Sequence, residues 1–532
     1  MRRLLLLFSV FLAGNVYAGQ LEARRYFKNN GGLFDHISPL LTPETNASAI
    51  NNFMLDDRGQ LTARSGFKIL NTTGTLTSTS SVVTGGGFHA ATSGTSFFAV
   101  IVGTNVFRTS NSFGGTFTNV TATTTVTAGA TNLAQHTSLN DVEIFCNESD
   151  SPFRVTASTS AYQLAGAPTK AKTCTTYGSY LLVANTVESG TAYTSRIRWS
   201  DINNPDSWPA LNYWDIEPND GDIIVSIIAF KDSVYVFKKR SIYRVMITGL
   251  DGADAFIVRP FSRNLGAWAK NSVRVIPNVG IAFLAQNTVY ILNDNELSSN
   301  NYSQFEAIGD SIQRTLDTVT RSQWVNAVAA VYPKRYQYVL AVSTAGSTNT
   351  QNLVYDYIQK SWTIYSGTFN MMDQAEDSSG NNLFITGDYH GNIYKLDETT
   401  TQDLFDNTSS AIATSYTTGW LVQDSPEYTK NYKYLYFYTQ TASTATLTVD
   451  ASFDYGTTFD YTQSIGLGTA TSVYDTAVYD TGVYVISGYT VNRFEINRSA
   501  RAIKLRFSSS STATSINPIG WVLVYSNEDW RD

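Results

Sequence analysis

The sequence predicts an all-β protein with a β-propeller-like main domain and an additional C-terminal β-sandwich. Three observations predict this class. Thr, Ser, Tyr, Val, Phe and Asn are abundant, which suits short strands joined by polar turns. Only 15% of the residues are charged, which leaves little material for solvent-exposed helices. One strand–turn–strand module also recurs along a chain of 532 residues, which is too long for one compact core.

Residues 1–29 are predicted to form a segment outside the main domain. Arg2 and Arg3 precede an apolar run over residues 4–13, and small residues follow up to Ala18. This pattern is typical of a secretory signal and is too short for a stable membrane span. An apolar arm that packs against a neighbouring subunit would explain the same residues, so both interpretations stay open.

Residues 30–405 are predicted to form the β-propeller-like domain. Short apolar-alternating runs are separated by Gly, Asn, Asp and Ser, which is typical of strands and turns. Six segments have the pattern of a β-hairpin, and they begin at Ser96, Asp141, Asp232, Gly280, Gln351 and Asn381. We expect about six four-stranded blades between residues 50 and 400. Several stacked sandwiches would give the same pattern.

One helix and a C-terminal domain complete the predicted architecture. Residues 305–324 place Ile308, Ile312 and Leu316 at helical spacing. Beyond a Ser/Thr/Asp-rich link at residues 399–410, the alternating strands become longer. We therefore expect residues 406–532 to form a β-sandwich.

Composition and spacing indicate no catalytic, cofactor or metal site. The net charge of −7 supplies no basic surface for gripping nucleic-acid phosphates. The four histidines are scattered, and Cys146 and Cys174 form no CxxC motif, so they are expected to be buried thiols or one disulfide. We found no credible phosphate loop or nucleophile motif. The sequence thus predicts a protein that is not an enzyme and needs no cofactor.

Residues 452–459, SFDYGTTF, fit the S-x-D-x-G-x-T-[WF] Asp-box pattern of sialidase propellers. In such a hairpin turn, Asp454 would accept hydrogen bonds from backbone amides and Gly456 would supply a permissive φ. Residues 110–117 are a degraded version with Ser112 in place of the Asp. The pattern predicts a detail of the fold and no catalysis.

Two indoles enclose a polar corner in the segment RWSDINNPDSW, residues 198–208. Trp199 and Trp208 flank a run of turn-forming residues that includes Asp201, Asn204 and Pro205. Burial of each indole is worth roughly 2 to 3 kcal/mol. We expect a fixed turn at the edge of a blade, anchored by the two tryptophans and used for packing between blades or subunits.

This corner and a more N-terminal element resemble the nozzle proteins of short-tailed bacteriophages, also called tail tubular or packaged-DNA stabilisation proteins. The corner matches the family's W-S-D-x-x-N-P-x-x-W element. The family's N-x-x-x-D-x-x-G-x-L-x-x-R-x-G element is matched by Asn52, Asp56, Gly59, Leu61, Arg64 and Gly66. The resemblance covers the chain from about residue 30 onward, and residues 474–485, YDTAVYDTGVYV, are similar to aromatic-Asp repeats near such C-termini. The signal-like start departs from the family.

The resemblance implies a structural protein of the virion tail. Such subunits form a homohexameric ring below the portal and its adaptor protein, extend the DNA channel, retain packaged DNA and dock tail fibres or a plug. Double-stranded DNA would pass through the channel without sequence-specific binding. Arg64, Gly66 and the corner residues would then have structural and interface roles.

Two alternatives remain open at the level of sequence. The signal-like start and the aromatic content fit a secreted or periplasmic β-propeller that binds a glycan or a protein. A glycoside hydrolase could use the same scaffold. Retention of residues 1–18 would favour the nozzle, binding to a sugar array would favour the secreted propeller, and turnover would favour the enzyme.

Overall fold

The fold was analysed in a computed structural model. It describes residues 20–528, except 57, 73–75, 77–81, 93, 123, 294–303, 406–407, 424–425, 441–444, 468–483, 487–488 and 512–515. The signal-like residues 1–18 and most of residues 474–485 lie outside the described residues.

Five short strands precede the first complete blade. They are β1 (Leu21–Tyr26), β2 (Ala47–Asn51), β3 (Phe53–Leu55), β4 (Leu61–Ala63) and β5 (Gly66–Ile69). Strands β3 and β4 form a hairpin. The other three join sheets that are otherwise built from distant parts of the chain.

Blades one to three follow in chain order, each as a four-stranded antiparallel sheet. Blade one contains β6 (Val83–His89), β7 (Phe97–Val102), β8 (Asn105–Ser110) and β9 (Thr118–Asn119). Blade two contains β10 (Gln135–Leu139), β11 (Val142–Cys146), β12 (Phe153–Val155) and β13 (Tyr162–Gln163). Blade three contains β14 (Lys170–Tyr177), β15 (Tyr180–Glu188), β16 (Thr191–Trp199) and β17 (Tyr213–Asp215).

Blades four to seven continue this pattern. Blade four contains β18 (Ile224–Phe230), β19 (Ser233–Lys238), β20 (Ile242–Ile247) and β21 (Phe256–Ser262). Blade five contains β22 (Arg274–Ile276), β23 (Gly280–Leu284), β24 (Val289–Leu292) and β25 (Phe305–Ala307). Blade six contains β26 (Val328–Tyr332), β27 (Gln337–Val342), β28 (Gln351–Asp356) and β29 (Ser361–Ser366). Blade seven contains β30 (Met371–Glu376), β31 (Asn382–Gly387) and β32 (Ile393–Asp397), and β5 supplies its fourth strand.

The seven blades of the described residues form a closed ring. The first strand of each blade contacts the first strand of the next, and β30 of blade seven contacts β6 of blade one. Apolar side chains fill the space between neighbouring blades. In β7, for example, Phe98 and Val100 face blade seven, whereas Phe97 and Ala99 face blade two. The middle strands are almost wholly apolar because both of their faces are buried in this way.

The remaining strands form a two-stranded hairpin over residues 402–411 and two larger sheets beside blades five and six. They are β33 (Gln402–Phe405), β34 (Thr408–Ala411), β35 (Thr414–Thr418), β36 (Lys430–Gln440), β37 (Thr446–Phe453), β38 (Tyr461–Gly466), β39 (Tyr484–Ile486), β40 (Tyr489–Ala500), β41 (Ile503–Ser509) and β42 (Pro518–Asn527). One sheet has the order β1-β42-β36-β40-β39. The other, β2-β35-β41-β37-β38, continues the sheet of blade six through β29. We call the two the C-terminal sheets, although β1 and β2 belong to them.

The C-terminal sheets share one core with blades five and six. Phe507 of one sheet lies 4.7 Å from both Phe437 and Trp521 of the other, measured between ring centroids. The same cluster includes Leu340 of blade six and Leu284 of blade five. Because the core is continuous, a separate C-terminal β-sandwich is not confirmed, and the domain boundaries at residues 29 and 405 stay predictions.

The propeller-like, all-β class is confirmed, and two finer expectations need correction. All six expected hairpins are present. Five are the second and third strands of a blade, and the one that begins at Gln351 is the third and fourth strands of blade six. The hairpin β15–β16 of blade three was missed. The helix expected over residues 305–324 is also wrong. That segment contains β25, the six-residue helix α1 (Gln313–Thr318) and two 3-10 turns, and burial of Ile308, Ile312 and Leu316 produces the helical spacing.

Candidate functional site

The polar corner of residues 198–208 is a compact loop after β16. The backbone N–H of Asp201 donates to the carbonyl of Ser207 at 2.8 Å, and Asp201 also forms an isolated bridge with Asn204. The Asn204 side chain accepts a hydrogen bond from the N–H of Asp206 at 3.1 Å, and Trp208 Nε1 donates to the carbonyl of Pro205 at 2.8 Å. These bonds fix the turn from within.

The corner also contacts blade two. Asp206 Oδ1 accepts a hydrogen bond from the N–H of Ala165 at 3.0 Å, and Asp206 Oδ2 lies 2.8 Å from Nη1 of Arg154 on β12. Asn140, in the turn between β10 and β11, donates to the carbonyl of Asn203 at 3.0 Å. The corner thus ties the outer part of blade three to blade two.

The two tryptophans lie on opposite faces of blade three. Trp199 is 1% exposed, packs edge-on against Phe256 of blade four at 5.1 Å, and donates from Nε1 to the carbonyl of Gly252. Trp208 is half-buried and packs against the apolar cluster between blades two and three, which includes Leu164 and Leu181. Each indole therefore anchors blade three to a different neighbour.

Arg64 lies at the junction of the propeller and the C-terminal sheets. Its Nη1 and Nη2 atoms donate to the two carboxylate oxygens of Asp403 at 2.8 and 2.6 Å, and Nη2 also donates to Ser366 at 2.9 Å. Nε donates to Oδ1 of Asn52 at 2.8 Å, while the amide of Asn52 reaches the carbonyl of Ala413. Both charges are buried and paired through two parallel hydrogen bonds, which is the strongest arrangement for this pair.

Other residues of the N-terminal element also have local structural roles. Asp56 accepts hydrogen bonds from the N–H groups of Arg58 and Gln60, which fixes the turn between β3 and β4. At Gly66, a Cβ atom would lie 1.8 Å from the carbonyl oxygen of Gln402. Only glycine allows β5 and β33 to approach so closely.

A second polar cluster lies on the inner strands of blades one, two and seven and was not found from sequence. Nδ1 of His136 lies 2.6 Å from Glu143, and its Nε2 lies 3.2 Å from Asp373. His89 and Ser138 also contact Glu143. Glu143 is fully buried, and its place in the otherwise apolar run VEIFC was the one available signal.

The cluster is charged in the folded protein. Burial lowers the pKa of His136, but the charge of Asp373 and the contact with Glu143 outweigh burial and raise the pKa to about 10. Burial raises the pKa of Glu143, but hydrogen bonds from His136 and His89 outweigh that effect and hold it below its usual range. His136 is therefore an imidazolium paired with carboxylates near neutral pH.

The glycines of residues 84–89, TGGGFH, on β6 leave space for this cluster. A Cβ atom at Gly87 would lie 2.7 Å from Nδ1 of His136 and 2.9 Å from Glu143. One at Gly86 would lie 2.9 Å from the sulfur of Met371 in blade seven. The glycine run therefore lets three inner strands pack closely.

The Asp-box expectation is wrong for Gly456, whereas Asp454 does accept a hydrogen bond from a backbone amide. Asp454 and Tyr455 have the positive φ values, 49° and 64°, whereas Gly456 does not. Oδ1 of Asp454 accepts a hydrogen bond from the N–H of Arg501, in the turn between β40 and β41, so it links two turns. The segment is a turn between β37 and β38 all the same.

Cys146 and Cys174 are buried free thiols between blades two and three. Burial, with a further effect of the neighbouring Cys146, raises the pKa of the Cys174 thiol. Within the described ranges, no group of three or more His, Cys, Asp and Glu side chains is placed to hold a metal ion. No helix in that part of the chain is long and apolar enough to cross a membrane.

In the part of the chain that the structure describes, fold and contacts together define a seven-bladed β-propeller whose inter-blade and propeller-to-sheet junctions are held by buried polar networks. No family model matches the chain, and no curated protein does. Among solved structures, it is similar to the extracellular domain of the two component system BT4673 from B. thetaiotaomicron, at 14% identity and a TM-score of 0.39, over 62% of this chain and 39% of that one.

Two further solved structures cover more of their own length. YCF48 from Cyanidioschyzon merolae is 13% identical, with a TM-score of 0.38 over 62% of this chain and 99% of that one. The Pan2 WD40 domain of Neurospora crassa is 10% identical, with a TM-score of 0.35 over 63% and 94%. The chain spans about two fifths of the length of the first two structures matched. Likeness this low carries no functional argument, so the propeller assignment depends on the seven sheets themselves.

Proposed function

We propose that the chain is a structural subunit of a virion tail nozzle, and that it acts without catalysis. The observation that carries the proposal is the placement of the two elements behind the resemblance. The Trp199–Trp208 corner joins blade three to its neighbours. Arg64 binds Asp403 on β33 and, through Asn52, reaches the carbonyl of Ala413 just before β35 of a C-terminal sheet. In this chain, the two motifs that carry the resemblance therefore lie where neighbouring structural units are held together.

In this role, about six copies would surround an axial channel below the portal and its adaptor, as the resemblance implies. Fibre or plug proteins would dock on the outside. A net charge of −7 suits a channel through which DNA slides without being gripped. The rigid blades would resist the outward force of packaged DNA.

Electron microscopy of particles from the native source tests the proposal. We expect a six-fold ring with an open axial channel, attached to a capsid or connector and labelled by an antibody against this chain. A purified monomer alone would not contradict it, because nozzle subunits can require their adaptor for assembly. Particles whose tails are complete in the absence of this chain would contradict it.

A second candidate function is a secreted or periplasmic propeller that binds a glycan or a protein. The observation in its favour is a polar groove between blade six and the C-terminal sheets. Mass spectrometry of the mature N-terminus separates the two candidates. Cleavage after Ala18 with export of the chain supports this second function, whereas retention of residues 1–18 in particles supports the nozzle.

A further inference from the structure

A groove of about 920 Å³ lies where the sheet of blade six continues into one of the C-terminal sheets. Five neighbouring strands, β29, β2, β35, β41 and β37, form its floor. The volume is within the range of small-ligand sites, and such sites favour junctions between structural units.

The floor of the groove is polar and regularly spaced. Asn51, Ser415, Ser508 and Thr448 are directly opposed in register on four adjacent strands, so they form a straight row across the sheet. Neighbouring strands lie about 4.8 Å apart. The row therefore presents hydroxyl and amide groups at a regular repeat along the groove.

Two polar atoms at the walls lack partners. Oε1 of Gln351 and Oγ of Ser509 are buried, and neither has a hydrogen-bond partner among the described residues. Both residues line the groove. Buried polar atoms are rarely left unpaired, so these two side chains keep hydrogen-bonding capacity beside the groove, and a ligand hydroxyl, which donates and accepts, would use it if either side chain turned toward the ligand.

The groove carries no net charge. Arg506 is the charged residue in its lining, and Nε and Nη2 both lie 2.9 Å from Oδ2 of Asp450. The guanidinium also stacks 4.3 Å from the ring centre of Phe459. Because its charge is already paired, Arg506 offers little attraction to a phosphate or carboxylate, and the remaining lining favours a neutral ligand.

We propose that this groove binds a neutral oligosaccharide. Hydroxyl-rich chains match a Ser-, Thr- and Asn-lined groove that has unsatisfied acceptors and no free charge. An extended peptide fits less well, because the floor strands are hydrogen-bonded to one another and offer no open edge for strand addition. The proposal deepens the second candidate function, for which this groove is the supporting observation, and it is independent of the nozzle proposal.

Titration calorimetry and saturation-transfer NMR on the full chain test the site. The probes are neutral tetrasaccharides of glucose, mannose, galactose and N-acetylglucosamine, with an oligogalacturonate as the charged comparison. The test variant combines Thr448→Val with Ser508→Val, which removes two hydroxyls from the row in strand positions that accept valine. The control is Thr118→Val, an exposed strand residue of blade one.

We expect at least one neutral tetrasaccharide to bind and the double variant to weaken that binding roughly tenfold at unchanged melting temperature. The control should bind within about twofold of the parent chain. The proposal is overturned if no neutral sugar binds, if only the oligogalacturonate binds, or if the double variant binds as tightly as the parent. If no sugar binds to the parent chain, and the double variant loses binding to a fibre protein that the parent chain binds, the groove is a protein-binding site instead.

Discussion

At the scale of single residues, buried charges define this structure more than any surface feature does. Arg64 and Asp403 pair in the interior, 1% and 3% exposed, and His136 pairs with Glu143 and Asp373 on the inner strands. Removing one partner of a buried pair leaves the other charge without compensation, which is costly. Two tests follow from this.

Replacement of Arg64 by Met should lower the free energy of unfolding by about 3 to 5 kcal/mol, because Asp403 would keep a buried, unpaired carboxylate. Urea unfolding followed by tryptophan fluorescence measures the loss. Adding Asp403→Asn should restore part of it. Arg24→Met is the control: its contact with Glu44 is solvent-exposed, so a loss below about 1 kcal/mol is expected. Equal losses for the two arginines would contradict this account.

His136 should make stability depend on alkaline pH. Its folded pKa of about 10 exceeds its unfolded value of 6.5, so its contribution is complete below pH 6.5 and disappears as the pH rises through 10. The gap in stability between the parent chain and His136→Asn should therefore shrink between pH 6.5 and 10. Urea midpoints across that range measure it, with the exposed His390→Asn as control. A gap independent of pH would show that His136 is not charged.

At the scale of elements, blade three is anchored by specific side chains to both of its neighbours, blades two and four. Its third strand, β16, ends at Trp199, and the corner that follows contacts blade two before the chain continues into β17 of blade three. Buried arginine contacts stiffen the same blade: Arg196 stacks between Tyr193 and Tyr213, 3.6 and 4.0 Å from their ring centres, and pairs with Asp215.

Truncation of the two corner tryptophans should destabilise the protein to different degrees. Trp199→Ala should cost about 3 to 5 kcal/mol, since it opens a cavity between blades three and four. Trp208→Ala should cost about 2 kcal/mol, because that indole is only half-buried. Thermal and urea unfolding measure both losses. Trp214→Ala, at a site 43% exposed, is the matched control. A melting temperature of Trp208→Ala equal to that of the parent chain would show that the corner does not stabilise the fold.

At the scale of the whole molecule, residues near the two ends of the described chain close the structure. Strand β5 completes blade seven, β2 links blade six to the C-terminal sheets, and β1 pairs with β42 along its full length. The ring of blades and the C-terminal sheets therefore depend on the same N-terminal stretch.

A chain that begins at residue 70 should fail to form the native fold, because it lacks β1 to β5. A chain that begins at residue 20 should keep all five strands and melt with the full-length protein. Circular dichroism, size-exclusion chromatography and limited proteolysis compare the two. A cooperative melt of the shorter chain at the parent temperature would show that ring closure does not need β5.

The sequence by itself determined the type of secondary structure and most of the local hairpins. Apolar alternation and turn residues are local, so six hairpins and the all-β class could be predicted. Blade three was missed because the strands of its long hairpin carry Thr, Arg and Tyr among the apolar residues, as in TAYTSRIRW. The apolar alternation that marks the other hairpins is therefore weaker there. The expected helix failed because buried residues at i, i+4 and i+8 also arise in turns.

Tertiary structure alone decided the sites. Arg64 and Asp403 are 339 positions apart in sequence, and Asn51 meets Ser415 and Ser508 only because β2 pairs with β35 and β35 with β41. No local pattern encodes such pairings, since strand order depends on which faces can be buried together. Local sequence patterns therefore predicted that the chain is built from β-hairpins. Which side chains meet was determined by closure of the ring and by the N-terminal strands that complete distant sheets.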